Sequence, residues 1–150
     1  MIILGIDPGT TKIGFGIIRK EKNKISCLHY GIISQPSPFL VTNEIFKLID
    51  EYTPEIASVE KLFFFKNQKT VIPVSEMRGA ILAALAINNV PVQEFTPLQV
   101  KQAVSGYGRS DKKQIAKMVR FILRLKEEIK SDDAADGLAI AICCANTIVY

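Results

Sequence analysis

The chain opens on an uninterrupted apolar run, Ile2 to Ile6, that stops at Asp7. A run without alternation is the pattern of a strand covered on both faces. Pro8-Gly9-Thr10-Thr11 then makes a turn. From Lys12 to Ile18 the pattern alternates, with Ile13, Phe15 and Ile17 on one side and Gly14 and Gly16 on the other. Ile25 to Ile33 reads as a third strand. Three strands joined by tight turns make an antiparallel meander. The period then changes. Val41, Ile45, Leu48, Ile49 and Tyr52 recur at helical spacing, and Thr53-Pro54 stops the helix.

Ile56 to Val59 is a short strand ending at Glu60, followed by the loop KLFFFKNQK. A helix is expected from about Thr70 to Ile87, with Pro73 tolerable only in its first turn. Val90 to Phe95 is a further strand. Thr96-Pro97-Leu98-Gln99 is a capped helix start, with Thr as cap, Pro at the first position and Gln at the capping-box place. Ser105-Gly106-Tyr107-Gly108 is a break. A helix from about Ser110 to Leu125 follows, and Ser131 caps a last helix that runs toward Val149. A meander followed by alternating helix and strand predicts an α/β fold, a mixed sheet with helices packed on it. No repeat or linker interrupts the 150 residues, so they read as a single domain, 1–150, large enough to bury a core without staples.

Carboxylates fall at the ends of these elements. Asp7 closes the first strand, Glu60 closes the fourth, and Asp132, Asp133 and Asp136 lie in the first turns of the last helix. Taken singly, each has a simple structural reason. Asp before Pro-Gly forms turns, acids suit a helix start, and a strand can end on a surface Glu. Taken together, they bring hard oxygen ligands from three elements, the donor set of Mg²⁺ or Mn²⁺. Without metal such a cluster repels itself and raises its own pKa values. Two ions held this way polarise a phosphodiester and generate hydroxide. Gly14 and Gly16 leave a strand face bare, suited either to close approach of a nucleic-acid backbone or to a packed helix.

Charge sharpens the picture. The chain is net +4, yet residues 101–124 hold seven basic side chains against one acid, Asp111. These are Lys101, Arg109, Lys112, Lys113, Lys117, Arg120 and Arg124, and elsewhere twelve basic residues face fourteen acids. Lys113, Lys117, Arg120 and Arg124 recur on one helix face, opposite Ile115, Met118, Val119 and Ile122. A phosphate backbone is the natural partner for such a tract. The remaining composition mostly excludes. Apolar content of 48% argues against disorder, and no apolar stretch is long enough for a membrane span. The N-terminus lacks the basic region of a signal peptide. Three cysteines without framework spacing suggest reduced thiols and a cytoplasmic protein, and one histidine, His29, gives little support to a zinc site or a Ser-His-Asp hydrolase.

Four segments carry a resemblance. GIDPGTTKIGFGII, SVEKLFF, VKQAVSGYGRSDKKQ and DDAADGLAIAI, in that order, strongly resemble the RuvC family of Holliday-junction resolvases across nearly the whole chain. The resemblance implies a ribonuclease H-like fold with a five-stranded mixed sheet, antiparallel meander plus parallel strands, flanked by helices. It implies a homodimer that uses divalent metal, Mg²⁺ or Mn²⁺, to make paired symmetric nicks in four-way junction DNA during recombination and repair. By motif, Asp7, Glu60, Asp133 and Asp136 become the catalytic and metal-binding carboxylates. Lys101 and Lys112 match basic DNA-contacting positions, beside which the tract supplies Arg109, Lys113 and Lys117. Phe63 matches an aromatic that acts at the junction centre, and Phe64 and Phe65 extend the run. Pro73 stands where the family's long helix usually begins, which moves its expected start later. Residues 80–87, AILAALAI, are apolar nearly all round, so one side should cover the sheet and the other a two-fold partner. A branch-migration motor complex is a further candidate partner, and no membrane is involved.

Three other readings compete, one of them a non-catalytic nucleic-acid-binding module, which would explain the basic helix but not four carboxylates at one end of the sheet. IDPGTT is close to the phosphate-binding hairpin of actin-like ATPases, but 150 residues leave no room for the second domain those enzymes close over nucleotide. A related ribonuclease H-like nuclease acting on other branched or hybrid substrates would share the carboxylates and the basic tract.

Overall fold

The computed structural model describes residues 1–62 and 68–148. Phe63, Phe64 and Phe65 lie outside the described residues. The first strand, β1 (Ile2–Asp7), runs through the middle of a five-stranded sheet. β2 (Lys12–Glu21) pairs antiparallel with it, placing Asp7 opposite Gly14, and β3 (Lys24–Ser34) pairs antiparallel with β2. Helix α1 (Pro38–Tyr52) crosses to β4 (Ile56–Glu60), which lies parallel to β1 with Ile6 beside Val59. Helix α2 (Gln68–Ile87) leads to β5 (Val92–Phe95), parallel to β4. The chain closes with α3 (Pro97–Ser105), α4 (Lys112–Ile122) and α5 (Asp132–Thr147). The strand order is β3-β2-β1-β4-β5. This is the mixed sheet that the order of elements predicts, in the ribonuclease H-like arrangement that the resemblance implies.

Period-two alternation divides the sheet between two cores. Leu4, Ile6, Ile13, Phe15, Ile17, Ala57 and Val59 face one side, where α1 and α2 supply Val41, Ile45, Ile81 and Leu85. Ile3, Ile18 and Ile56 face the other, against α3, α4 and α5. On this second face β1, β2 and β4 carry Gly5, Gly14, Gly16 and Ser58, all small. That lets α5 lie very close to the sheet. A Cβ on Gly16 would come within 2.7 Å of Leu138, and one on Gly137 within 2.6 Å of the Phe15 backbone. The bare glycine face is therefore covered by a helix, and no nucleic-acid backbone reaches it there. α5 accordingly carries no polar face along most of its length, and Leu138 to Ala145 are buried throughout.

Local signals account for most helix starts. Thr96 and Gln99 form the reciprocal capping box, and the Ser131 hydroxyl accepts from Ala134 N. Thr53 ends α1 in the left-handed conformation, with φ 46°. Several boundaries shift by a few residues from expectation, and two of the helix starts do so for reasons the structure shows. α4 starts at Lys112 under an Asp111 cap, because Ser110 is instead buried and bonded to Ser105 Oγ at 2.7 Å. α2 begins at Gln68, so Pro73 sits inside the helix, past its first turn. Proline there removes one backbone donor, and the flanking turns continue the helix around it.

Candidate active site

β1 and β4 end together because they are parallel neighbours in register, so Asp7 and Glu60 emerge at the same edge of the sheet. Alternation turns both toward α5, as it does Gly5 and Ser58. The start of α5 lies directly above. Gly14, paired with Asp7, is pressed against the backbone of Asp133. Any side chain at position 14 would displace the first turn of α5 and the acids it carries.

Asp7, Glu60 and Asp136 line one cavity of about 250 Å³, with Lys101 from α3 and Lys112 from α4. Pro97, Val100, Ile115 and Ile140 make its apolar wall. The Lys112 ammonium donates to Asp136 Oδ2 at 3.2 Å. Burial pushes the Asp7 carboxyl well above the usual range, and the negative charges of Glu60, Asp136 and Asp133 push it further against the pull of Lys112. Burial and the charge of Asp136 lift Glu60 from 4.5 to about 7, opposed by Lys101 and Lys112. Burial also raises Asp136, outweighing the nearby Lys112. The Lys112 ammonium is itself held protonated to higher pH by Asp136. Two lysines therefore leave three recessed carboxylates under-compensated.

The other candidate residues are distributed around this centre. Asp133 does not line the cavity but acts electrostatically on both Asp7 and Asp136. Asp132 is exposed and contributes to the field at Asp136 and Lys112. Arg109 is exposed in the turn between α3 and α4, and Lys113 is exposed on the first turn of α4. Lys117 lies further along α4 and lines a different cavity. Among the described residues, no three or more His, Cys, Asp or Glu side chains are gathered tightly enough to hold a metal ion as they stand. The chemistry of the donor set nonetheless fits a hard cation: oxygen donors from three elements, mutually repelling, on one recess.

Two supporting features escape a reading of the sequence. Ser58, two residues before Glu60 on the same strand face, donates from its buried Oγ to Ile140 O at 3.2 Å and ties β4 to α5. Ser105 and Ser110 bond one another and the Tyr107 carbonyl, fixing the turn that separates Lys101 from Lys112. The only sequence signal for Ser58 is a polar residue at an inward position of a buried strand.

Residues 3–144 match the family described as crossover junction endodeoxyribonuclease RuvC. The protein of that name from Petrotoga mobilis is 44% identical, over 97% of this chain and 94% of its own length. That from Thermosipho melanesiensis is 45% identical, over 97% of both chains. The structure of Thermus thermophilus RuvC in complex with Holliday junction substrate superposes with a TM-score of 0.88 and 34% identity, over 95% of this chain and 92% of that one. The Fowlpox virus resolvase, 17% identical with a TM-score of 0.64, shares the fold.

Proposed function

The chain belongs to the crossover junction endodeoxyribonuclease RuvC family, and we propose that Asp7, Glu60 and Asp136, joined by Asp133, form its catalytic carboxylate set. Membership makes it a divalent-metal-dependent endodeoxyribonuclease that resolves four-way DNA junctions, and it displaces the actin-like reading. The observation that carries the site proposal is convergence: three carboxylates from β1, β4 and α5 on one recess, flanked by Lys101 and Lys112.

Mg²⁺ or Mn²⁺, two ions per site, would suit these donors, held by Asp7, Glu60 and the α5 acids. When bound, such ions supply Lewis-acid polarisation of the phosphodiester. The chain's own residues do the rest. The apolar wall of Val100, Ile115 and Ile140 keeps the recess at low dielectric, which strengthens every charge interaction inside it. Lys101 and Lys112 offset the negative charge of the recess and face the incoming phosphates. Arg109 and Lys113 extend the cationic surface from the rim along α4, and Lys117 continues it. Phe63, directly beyond the Glu60 strand in sequence, is assigned to the junction centre on the resemblance, where an aromatic ring stacks on unpaired bases.

Residues 1–150 are read as one nuclease domain that acts as a homodimer. Ile72, Gly79, Ala83, Ala86 and Ile87 form an exposed stripe of α2 opposite the face that Met77, Ile81, Ala84 and Leu85 bury on the sheet. A two-fold partner on this stripe places two sites about a dyad, as paired nicks require. Among the described residues no helix is long and apolar enough to cross a membrane, and Cys27, Cys143 and Cys144 are free. The free thiols fit a reducing compartment, and the protein is read as cytoplasmic on that ground. A branch-migration motor complex stands as a further partner on the resemblance alone. The test of substrate class is a panel of four-way junction, linear duplex and RNA–DNA hybrid with Mg²⁺. Paired nicks confined to the four-way junction are expected, and preferential cutting of the hybrid would point to the related-nuclease alternative.

A further inference from the structure

The C-terminal end of α4 carries a second cavity, about 760 Å³, which shares no lining residue with the carboxylate cavity. Phe121, Ile122 and Leu125 supply its apolar surface, and Lys117, Arg124 and Lys126 stand among them. The concavity is built by a fixed turn. The Arg120 guanidinium donates to Leu125 O at 3.3 Å and to Lys126 O at 2.9 Å, and Leu125 N returns a bond to Arg120 O at 3.0 Å. Arg120 also lies 3.7 Å from Glu128. Arg120 is thus used internally. Lys117, Arg124 and Lys126, by contrast, have no acidic partner among the described residues. Phe121 is 77% exposed beside them.

A large exposed ring within a cationic surface needs a ligand that offers two things at once. Three unneutralised cations call for carboxylates or phosphates. The apolar surface of Phe121, Ile122 and Leu125 calls for an aliphatic or aromatic side chain, which a duplex backbone does not project. We propose that this groove docks an acidic peptide segment of a protein partner. Its carboxylates meet Arg124 and Lys126, and one bulky apolar side chain packs on Phe121 and Leu125. The proposal rests on shape and charge at this end of α4 and is independent of the assignment of the carboxylate site.

The test is to pan a phage-displayed library of random peptides against the full chain, with the Phe121→Ser/Lys126→Glu double variant as counter-selection. Enriched peptides should combine several Asp or Glu with a bulky apolar residue. A fluorescein-labelled synthetic copy should bind the double variant about tenfold or more weakly. The variant should keep the parent's melting temperature, junction affinity and cutting rate. Should the double variant melt early, Lys126→Glu alone carries the comparison, with a loss of about threefold. The proposal is overturned if no acidic-apolar peptides are enriched, or if they bind both proteins equally. It is also overturned if the variant loses junction affinity instead, which makes the groove a nucleic-acid site. A change in sedimentation would likewise overturn it, by making the groove a contact between copies of the chain.

Discussion

Lys112 Nζ lies 3.2 Å from Asp136 Oδ2, joining the first turn of α4 to the first turns of α5 across the carboxylate cavity. The lysine side chain is largely exposed, so the pair contributes little to stability. Its value is in position, a cation at the rim of a negative recess. Lys112→Ala should weaken binding to a four-way junction and lower the slope of log K against log salt by about one. Melting temperature should hardly change. Filter binding across a salt series checks this, and an unchanged slope would place Lys112 off the interface.

Charge crowding in the recess has a pH signature. Glu60 is raised from 4.5 to about 7, so the folded chain binds its proton more tightly than the unfolded chain does. Its protonated form costs nothing below the unfolded value. As pH rises from about 4.5 to about 7, the unfolded chain ionises Glu60 while the recess still holds it protonated, so folding stability falls progressively. Asp7 and Asp136 shift in the same direction. Without metal, Glu60→Gln should therefore gain on the parent in melting temperature by a few degrees as pH rises through that window. Mg²⁺ should raise the melting temperature of the parent more than that of the variant at pH 7.5. A difference independent of pH, measured by circular dichroism, would contradict the crowding.

The seat of α5 is equally testable. A Cβ on Gly16 would sit 2.7 Å from the Leu138 backbone, too close for any relaxation confined to side chains. Gly16→Ala should destabilise by about 1–3 kcal/mol, the usual range for overpacking. Gly14→Ala presses on Asp133 and should also lower cutting, because the first turn of α5 moves with its acids. Urea denaturation with parallel cleavage rates separates the two effects.

These glycines also show where reading the sequence stops. The meander, the caps at Thr96 and Ser131, and the placing of Asp7 and Glu60 at strand ends follow from periodicity and capping chemistry that act within a few residues. A bare strand face at Gly14 and Gly16 looks the same whether a helix or a polyanion covers it, because the covering element is over a hundred residues away. Asp133 and Asp136 share a helix face, yet they differ by about 4.5 Å along the axis. Only Asp136 reaches the cavity wall. The α2 start at Gln68 was likewise not legible, since Pro73 inside the helix runs against the local rule and is carried by the surrounding turns.

The exposed stripe of α2 leads to a prediction about assembly. Ile87 is 68% exposed, and Ala83 and Ala86 lie beside it on the helix. Ala83→Glu places a charge in the middle of the stripe without disturbing the buried Ile81 and Leu85. The parent should sediment at twice the chain mass of 16.6 kDa, and the variant as a single chain. The variant should also lose the pairing of its two nicks. A parent that sediments as one chain at micromolar concentration would remove the dyad.

Asp7 lies on the middle strand of the sheet, with Glu60 and Asp136 acting on it from two other elements. Asp7→Asn keeps its shape and removes its charge. The decisive measurement pairs cleavage of a four-way junction in Mg²⁺ with binding of the same junction in the absence of metal. Cutting should fall at least about a hundredfold, since even outer groups around a metal site cost 10–100-fold when lost. Binding should stay within about twofold, because Lys101 and Lys112 remain in place. A variant that binds normally and cuts at near the parental rate would contradict the assignment of this recess as the catalytic centre.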